Sequence, residues 1–346
     1  MNRARPGLAA VLAALLLGAC GPAPESHRDR IHAFGTEIDV SLRTSAAAQA
    51  NATFAALRRD FDWMHRTWHA WQPSELTQTN DQFASGQWFT LPPSIKPLVE
   101  ASKQMYRASD GLFNPAIGAL VGAWGFQRDD LSSGGDPSPT DLQRLNTPPP
   151  TMDDIEIDGE RARATNPRVR LDFGGIAKGY GVELALGRVL EFGVRDALIN
   201  AGGDVKVIGD AGGRPWHVGI RDPRGGVLAA IELDGGEAIF TSGTYERSRA
   251  RTGRPPAHHI LDPRTGEPAT GLVSATVVHY DATLADAAAT ALIAAGPKDW
   301  KRIAARMGVA LALVLDAEDT AFVTPALAPR LDWQRQPART VIAGSE

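Results

Sequence analysis

Between Ile31 and Leu42 apolar and polar residues alternate, with Ile38, Val40 and Leu42 on one side, the period of a half-buried strand. Residues 20–30, ahead of it, read as a short tether. From Ser45 the apolar positions change to helical spacing, at Phe54, Leu57, Phe61 and Met64, and the stretch ends in an aromatic cluster of His65, Trp68, His69 and Trp71. A second helix is predicted after Pro97, through Leu98, Ala101 and Met105, and a buried, glycine-dotted one between Ala116 and Phe126. Residues 127–152 are so dense in Pro, Ser, Gly and Asp that they read as a long surface loop at a lobe boundary.

The sharpest change of period falls in 169–193. Val169, Leu171 and Phe173 alternate as a strand, Gly174-Gly175 breaks the pattern, and Val182, Leu186, Val189 and Leu190 follow at helical spacing up to Gly193, a left-handed stop. Strands are then predicted at 197–200, 204–208, 216–220, 227–233 and 237–241, joined by Asp-Pro and Gly-Gly turns, a meander that argues for antiparallel pairing. A strand at 274–279, helices at 284–295 and 300–307, and a closing strand pair at 309–315 and 320–324 complete the pattern, with 331–346 left as a tail. The fold class is α+β, a mixed or antiparallel sheet flanked by helices.

Composition narrows the function. The 346 residues are 43% hydrophobic and 22% charged, which is globular, and a net charge of −4 with scattered Lys and Arg gives no field for nucleic acid. The chain opens with Arg3 and Arg5, an apolar run from Leu8 to Leu17, and then Gly18-Ala19-Cys20. That run is short for a membrane span and suits a signal peptide over 1–19; Cys20 directly after it resembles the lipidated first residue of a bacterial lipoprotein. The expected location is therefore the periplasm-facing cell envelope, with the membrane held through the lipid anchor and the choice of inner or outer membrane open. Cys20 is the only cysteine, so any metal site must be built from oxygen and nitrogen.

A Gly-Gly turn opening a helix, flanked by Asp172 and Lys178, suits either a phosphate or ordinary strand–helix packing. His65 and His69 stand four apart, a spacing that metal ligands use, but no further ligand pattern follows and they read as aromatic packing. Trp71, before a turn, suits stacking on a planar ligand as well as it suits packing. What joins these features is the order of five motifs: D-F-G-G-I-A-K-G-Y from Asp172, N-A-G-G-D from Asn200, S-G-T-Y-E-R from Ser242, H-H-I-L-D-P-R-T-G from His258 and A-D-A-A-A-T from Ala285. In that order they resemble the ApbE family of FAD:protein FMN transferases, over 31–330 as a single catalytic domain.

The resemblance implies two lobes with FAD in the cleft between them. It implies Mg²⁺ on the FAD pyrophosphate, held at Gly175, Asp286 and Thr290, with the Ala289 carbonyl as a further ligand. Asp286 and Thr290, four apart, share one helical face, and their hard oxygens suit that ion. The resemblance further places Asp172, Lys178 and Ile260 at FAD, and Phe34, Trp71, Phe113, Asn114 and Pro115 along its rings. It makes His259 the base for a threonine hydroxyl on a partner protein, a membrane-associated redox subunit, with Lys178 offsetting phosphoryl charge and AMP leaving. His258 is expected to pack or orient its neighbour. A packing role for His259, water as the nucleophile (an FAD pyrophosphatase), or a flavin binder without turnover remain as alternatives. Asn114, Ala116 and Glu183 depart from the family pattern, where Asp, Thr and Asp are usual.

Overall fold

The computed structural model describes residues 25–131 and 134–344, so the signal segment and Cys20 lie outside the described residues. Strand β1 (Glu25–Ala33) pairs antiparallel with β2 (Thr36–Thr44), Ala33 opposite Thr36. The strand expected from Ile31 is thus a hairpin, and the expected tether is strand from Glu25 onward. Its two-residue turn needs left-handed backbone at both positions; Gly35 takes it freely (φ 71°), whereas Phe34 (φ 54°) is held there against its preference.

Helix α1 (Ala47–Thr67), α2 (Glu75–Ser85), β3 (Phe89–Thr90), α3 (Lys96–Ala108), α4 (Gly118–Ala123) and α5 (Pro139–Asn146) follow. Periodicity gives no helix at α2, whose start is set instead by a reciprocal cap between Ser74 and Thr77. The loop expected over 127–152 carries α5, which packs Leu142 and Leu145 on a satellite core of Ile117, Leu120, Trp124 and Phe126. Strands β4 (Ile155–Asp158) and β5 (Arg161–Ala164) form a small sheet with β3.

After α6 (Ala177–Glu191), capped by left-handed Gly193, come β6 (Asp196–Ala201), β7 (Asp204–Ile208), β8 (Trp216–Arg221), β9 (Val227–Leu233), β10 (Ala238–Gly243), β11 (Ser248–Arg251), β12 (Arg254–His258) and β13 (Leu272–His279). The chain ends with α7 (Ala282–Arg306), β14 (Leu311–Asp316), β15 (Thr320–Val323), β16 (Asp332–Trp333) and β17 (Arg339–Ile342). The two helices expected at 284–307 are halves of α7, broken where Gly296 (φ 70°) precedes Pro297. The expected tail is woven in: β16 pairs with β9, β17 runs parallel to β15, and Arg335 clamps the buried Asp222 and Asp319.

The main sheet has nine strands in the order β1-β2-β6-β7-β10-β13-β14-β15-β17, antiparallel except for the last pair, so it is mixed. Both faces of its central strands are covered, and those strands therefore read as continuous apolar runs. On β14, Ala312 and Val314 face the core shared with α1, α6 and α7, while Leu313 and Leu315 face a second core roofed by β8 and β9. Alanines along α7 bring that helix close to the sheet and to α6. A Cβ on Gly179 would lie 2.2 Å from the Ala282 carbonyl oxygen, so only glycine permits this crossing.

Candidate functional site

A cleft of about 1170 Å³ opens where the starts of α6 and α7 meet the ends of β7 and β10. The approach to α6, expected as a strand over 169–173, has one isolated bridge, Arg170 with Ile117, and no ladder. Its backbone is satisfied elsewhere. Asn80 closes both polar groups of Leu171 (2.6 and 2.9 Å), and the Asp172 N–H donates to the Pro115 carbonyl (2.9 Å). The Asp172 carboxylate then accepts from the Gly174 N–H (3.0 Å) and the Gln127 amide (2.9 Å), which fixes the turn that delivers Gly175 and Lys178 to the cleft.

The floor is a small charge cluster. Gly179 at the α6–α7 crossing donates its N–H to Asp286 Oδ2 (2.9 Å), and Lys178 is ion-paired with the buried carboxylate of Asp204. Asp204 also accepts from the Thr241 N–H (2.8 Å), a tie between β7 and β10 that spacing alone does not reveal. Burial pushes the Asp286 carboxyl up to about 7, with Asp204 adding to the rise and Lys178 opposing it. Burial alone would lower the Lys178 ammonium, yet Asp204 and Asp286 hold it well above the ordinary lysine value, so it stays charged. Thr290, one turn after Asp286, meets Ser242 Oγ at 3.1 Å, and a Cβ on Gly175 would stand 3.0 Å from its hydroxyl. Bare backbone at Gly175, the Thr290 hydroxyl and the Asp286 carboxylate therefore line the same cleft. This donor set of one carboxylate, one hydroxyl and backbone oxygen fits a hard cation that keeps positions for phosphate and water. Ala289 is buried in the core and does not line the cleft.

His259 directly follows β12, the second strand of the β11–β12 hairpin. Its N–H and its ring Nδ1 both meet the Arg247 carbonyl (3.1 and 3.3 Å), so Nδ1 carries the proton and Nε2 is left as the acceptor. Burial, then the neighbouring His258, Arg247 and Lys178, push the imidazole down to about 3, so it is neutral across the physiological range. His258 is buried, with Nε2 on the Ala269 carbonyl (2.9 Å), which agrees with a packing role. Arg247 is the last residue of the S-G-T-Y-E-R motif, which by itself gives it no role. It donates to the Phe126 and Arg128 carbonyls (2.8 and 2.7 Å) and sets its guanidinium 5.8 Å from the Trp71 ring, joining three walls of the cleft.

Phe34, Trp71, Phe113, Asn114, Pro115, Asp172, Lys178, Gly175, His259, Ile260, Asp286 and Thr290 all line this cleft. Asn114, however, spends its side chain on the Pro150 carbonyl (2.9 Å) and the Ala116 N–H (3.1 Å), which makes it a turn brace. Glu183 lies outside the cleft, accepting from the Ala282 N–H and pairing with Lys206 (2.6 Å each), so its departure from the family pattern bears on how α6 seats α7 rather than on a ligand.

A mixed sheet roofed on one face by helices thus gathers helix starts, a fixed lysine and hard oxygen donors at one cleft, features that suit a phosphorylated ligand. The chain belongs to the ApbE family, whose model matches residues 34–313. It is 42% identical over 333 residues to the FAD:protein FMN transferase of Rhodobacter capsulatus, an alignment covering 95% of this chain and 63% of that relative's length. In structure it is similar to the ApbE protein of Thermotoga maritima (TM-score 0.80, 29% identity, 90% of this chain and 100% of the other). It is also similar to the flavinyl transferase ApbE of Pseudomonas stutzeri (TM-score 0.78, 27% identity, 89% and 97%).

Proposed function

We propose that the protein transfers the FMN part of FAD to a threonine hydroxyl of a partner protein and releases AMP. The observation that carries this reading is the meeting, in one cleft, of a cationic Lys178 at a helix start, a neutral His259 with Nε2 free to accept, and the Gly175–Asp286–Thr290 donor set. A ligand pyrophosphate is drawn to the α6 N-terminus and Lys178. The threonine oxygen forms a bond to the FMN-side phosphorus, the anhydride bond to AMP breaks, and the threonine proton passes to His259 Nε2. Lys178 offsets charge that develops on the phosphoryl oxygens. Mg²⁺ held by Gly175, Asp286 and Thr290 would supply further compensation for that charge. The cleft exceeds the size that a single small ligand ordinarily fills, roughly 300–1,000 Å³, which supports room for an acceptor segment beside FAD.

The test is incubation with FAD, Mg²⁺ and a threonine-containing fragment of a membrane redox subunit, read by mass. The expected product is a flavin phosphate adduct with one AMP released per adduct. FMN and AMP without adduct would make the protein a pyrophosphatase, and intact FAD would make it a binder. We further place it as a lipoprotein facing the periplasm, supported by Cys20 directly after the apolar run. Cys20→Ala should detach it from membranes or block its processing while leaving transfer by purified protein unchanged; membrane partitioning after processing would refute the anchor.

A further inference from the structure

The two histidines set aside in the sequence form one wall of the cleft. Phe34, His65, His69 and Trp71 stand in a row, with ring centroids 6.4, 5.3 and 4.5 Å apart in turn. In both histidines Nδ1 is turned to the backbone as an acceptor. His65 Nδ1 takes the Phe34 N–H (3.2 Å), which also holds that residue in its left-handed turn; His69 Nδ1 takes the N–H groups of Trp71 (3.4 Å) and Gln72 (3.1 Å). An accepting Nδ1 carries no proton, so in the neutral ring the proton sits on Nε2. Burial, reinforced by His65 and opposed by Asp129 and Asp172, lowers the His69 imidazole from its ordinary value. This tautomer also argues against a transition-metal site at the pair, because each Nε2 lone pair is occupied by its proton. Neither Nε2 has a protein partner among the described residues, and both side chains line the cleft.

We propose that His65 and His69 are a preset pair of Nε2–H donors that recognise the acceptor edge of a flavin ring stacked at Trp71. The assignment rests on the flavin-transfer reading. Of the two heterocycles of FAD, adenine places its amine beside N1 and N7, so each of those edges alternates donor with acceptor. The isoalloxazine instead presents neighbouring acceptors, O4 beside N5 and N1 beside O2. Two fixed donors match the second arrangement and leave one donor unpaired on the first, an uncompensated polar group that such a site rejects. The backbone acceptors thus act through the tautomer: by occupying Nδ1 they decide what the cleft reads.

His65→Asn and His69→Asn test this, because an Asn carbonyl can reproduce the Nδ1 acceptor while the side chain cannot reach as an Nε2–H donor. FMN and AMP serve as separate probes, titrated against the full chain by calorimetry, with the melting temperature measured on each variant. The expected result is FMN affinity lowered about fivefold to tenfold in each variant, as for one neutral hydrogen bond. AMP affinity and melting temperature stay at parent values. FMN affinity unchanged in both variants would overturn the donor assignment, as would a loss confined to AMP, or equal losses for both probes with a lowered melting temperature. A parent chain without measurable FMN affinity would overturn the flavin reading itself.

Discussion

Asp286→Asn is expected to lower flavin transfer on the order of a thousandfold while the protein stays folded. Asp286 is the one carboxylate of the proposed cation site, since Asp204, the other buried carboxylate of the floor, is already paired with Lys178. The asparagine can still accept the Gly179 N–H that ties α6 to α7, now at 2.9 Å, so the crossing survives and the charge alone is lost. Asp286→Ala would remove both and confuse the two effects. FAD should remain bound through its rings, because Trp71, Phe113 and Ile260 line the cleft independently of the floor. Calorimetric Mg²⁺ titration on the same preparation should show weakened binding. Transfer at the parent rate and ordinary Mg²⁺ concentration would remove Asp286 from the site.

How much of this was legible in the sequence depended on whether a feature was written locally. The α6 segment and the strands β6 to β10 follow from period and turn residues, but not their partners: β8 and β9 leave the expected meander for a separate sheet with β16, and β7 pairs directly with β10. The β1–β2 reversal escaped because its first left-handed position is Phe34, held by His65 from thirty-one residues away and not by a turn-forming residue type. The β11–β12 hairpin escaped because its strands, S-R-A-R and R-P-P-A-H, carry no apolar alternation. They are held instead by half-buried Arg249 and Arg251 on Asp136, a contact across more than a hundred residues. The same distinction holds in the site. Motifs pointed to Lys178, His259, Asp286 and Thr290, but not to Asp204 as the partner of Lys178 or to Arg247 as the residue that sets the His259 tautomer. Asn114 shows the converse: a residue that lines the cleft while its side chain is taken up by backbone groups.

His259→Asn should reduce single-turnover transfer by on the order of a hundredfold to ten-thousandfold, the range for a positioned general base. The Asn amide can still donate to the Arg247 carbonyl, as Nδ1–H does, so the loss isolates the Nε2 lone pair. An imidazole held near 3 is a weak base in the empty cleft; the anionic pyrophosphate of FAD beside it would raise its proton affinity in the complex, when acceptance is needed. The same depression gives a second, independent readout. Folding lowers this group below its unfolded value of about 6.5, so between 6.5 and 3 the unfolded chain binds the extra proton. The stability contributed by neutral His259 is full above pH 6.5 and is lost as pH falls toward 3. Between pH 7.5 and 5.0 the parent melting temperature should therefore drop more than that of His259→Asn, which has no imidazole to protonate. A variant with the smaller pH-dependent drop but parent transfer would show a buried, neutral histidine with no part in catalysis. The expected outcome is both changes together, with a melting temperature at pH 7.5 close to that of the parent.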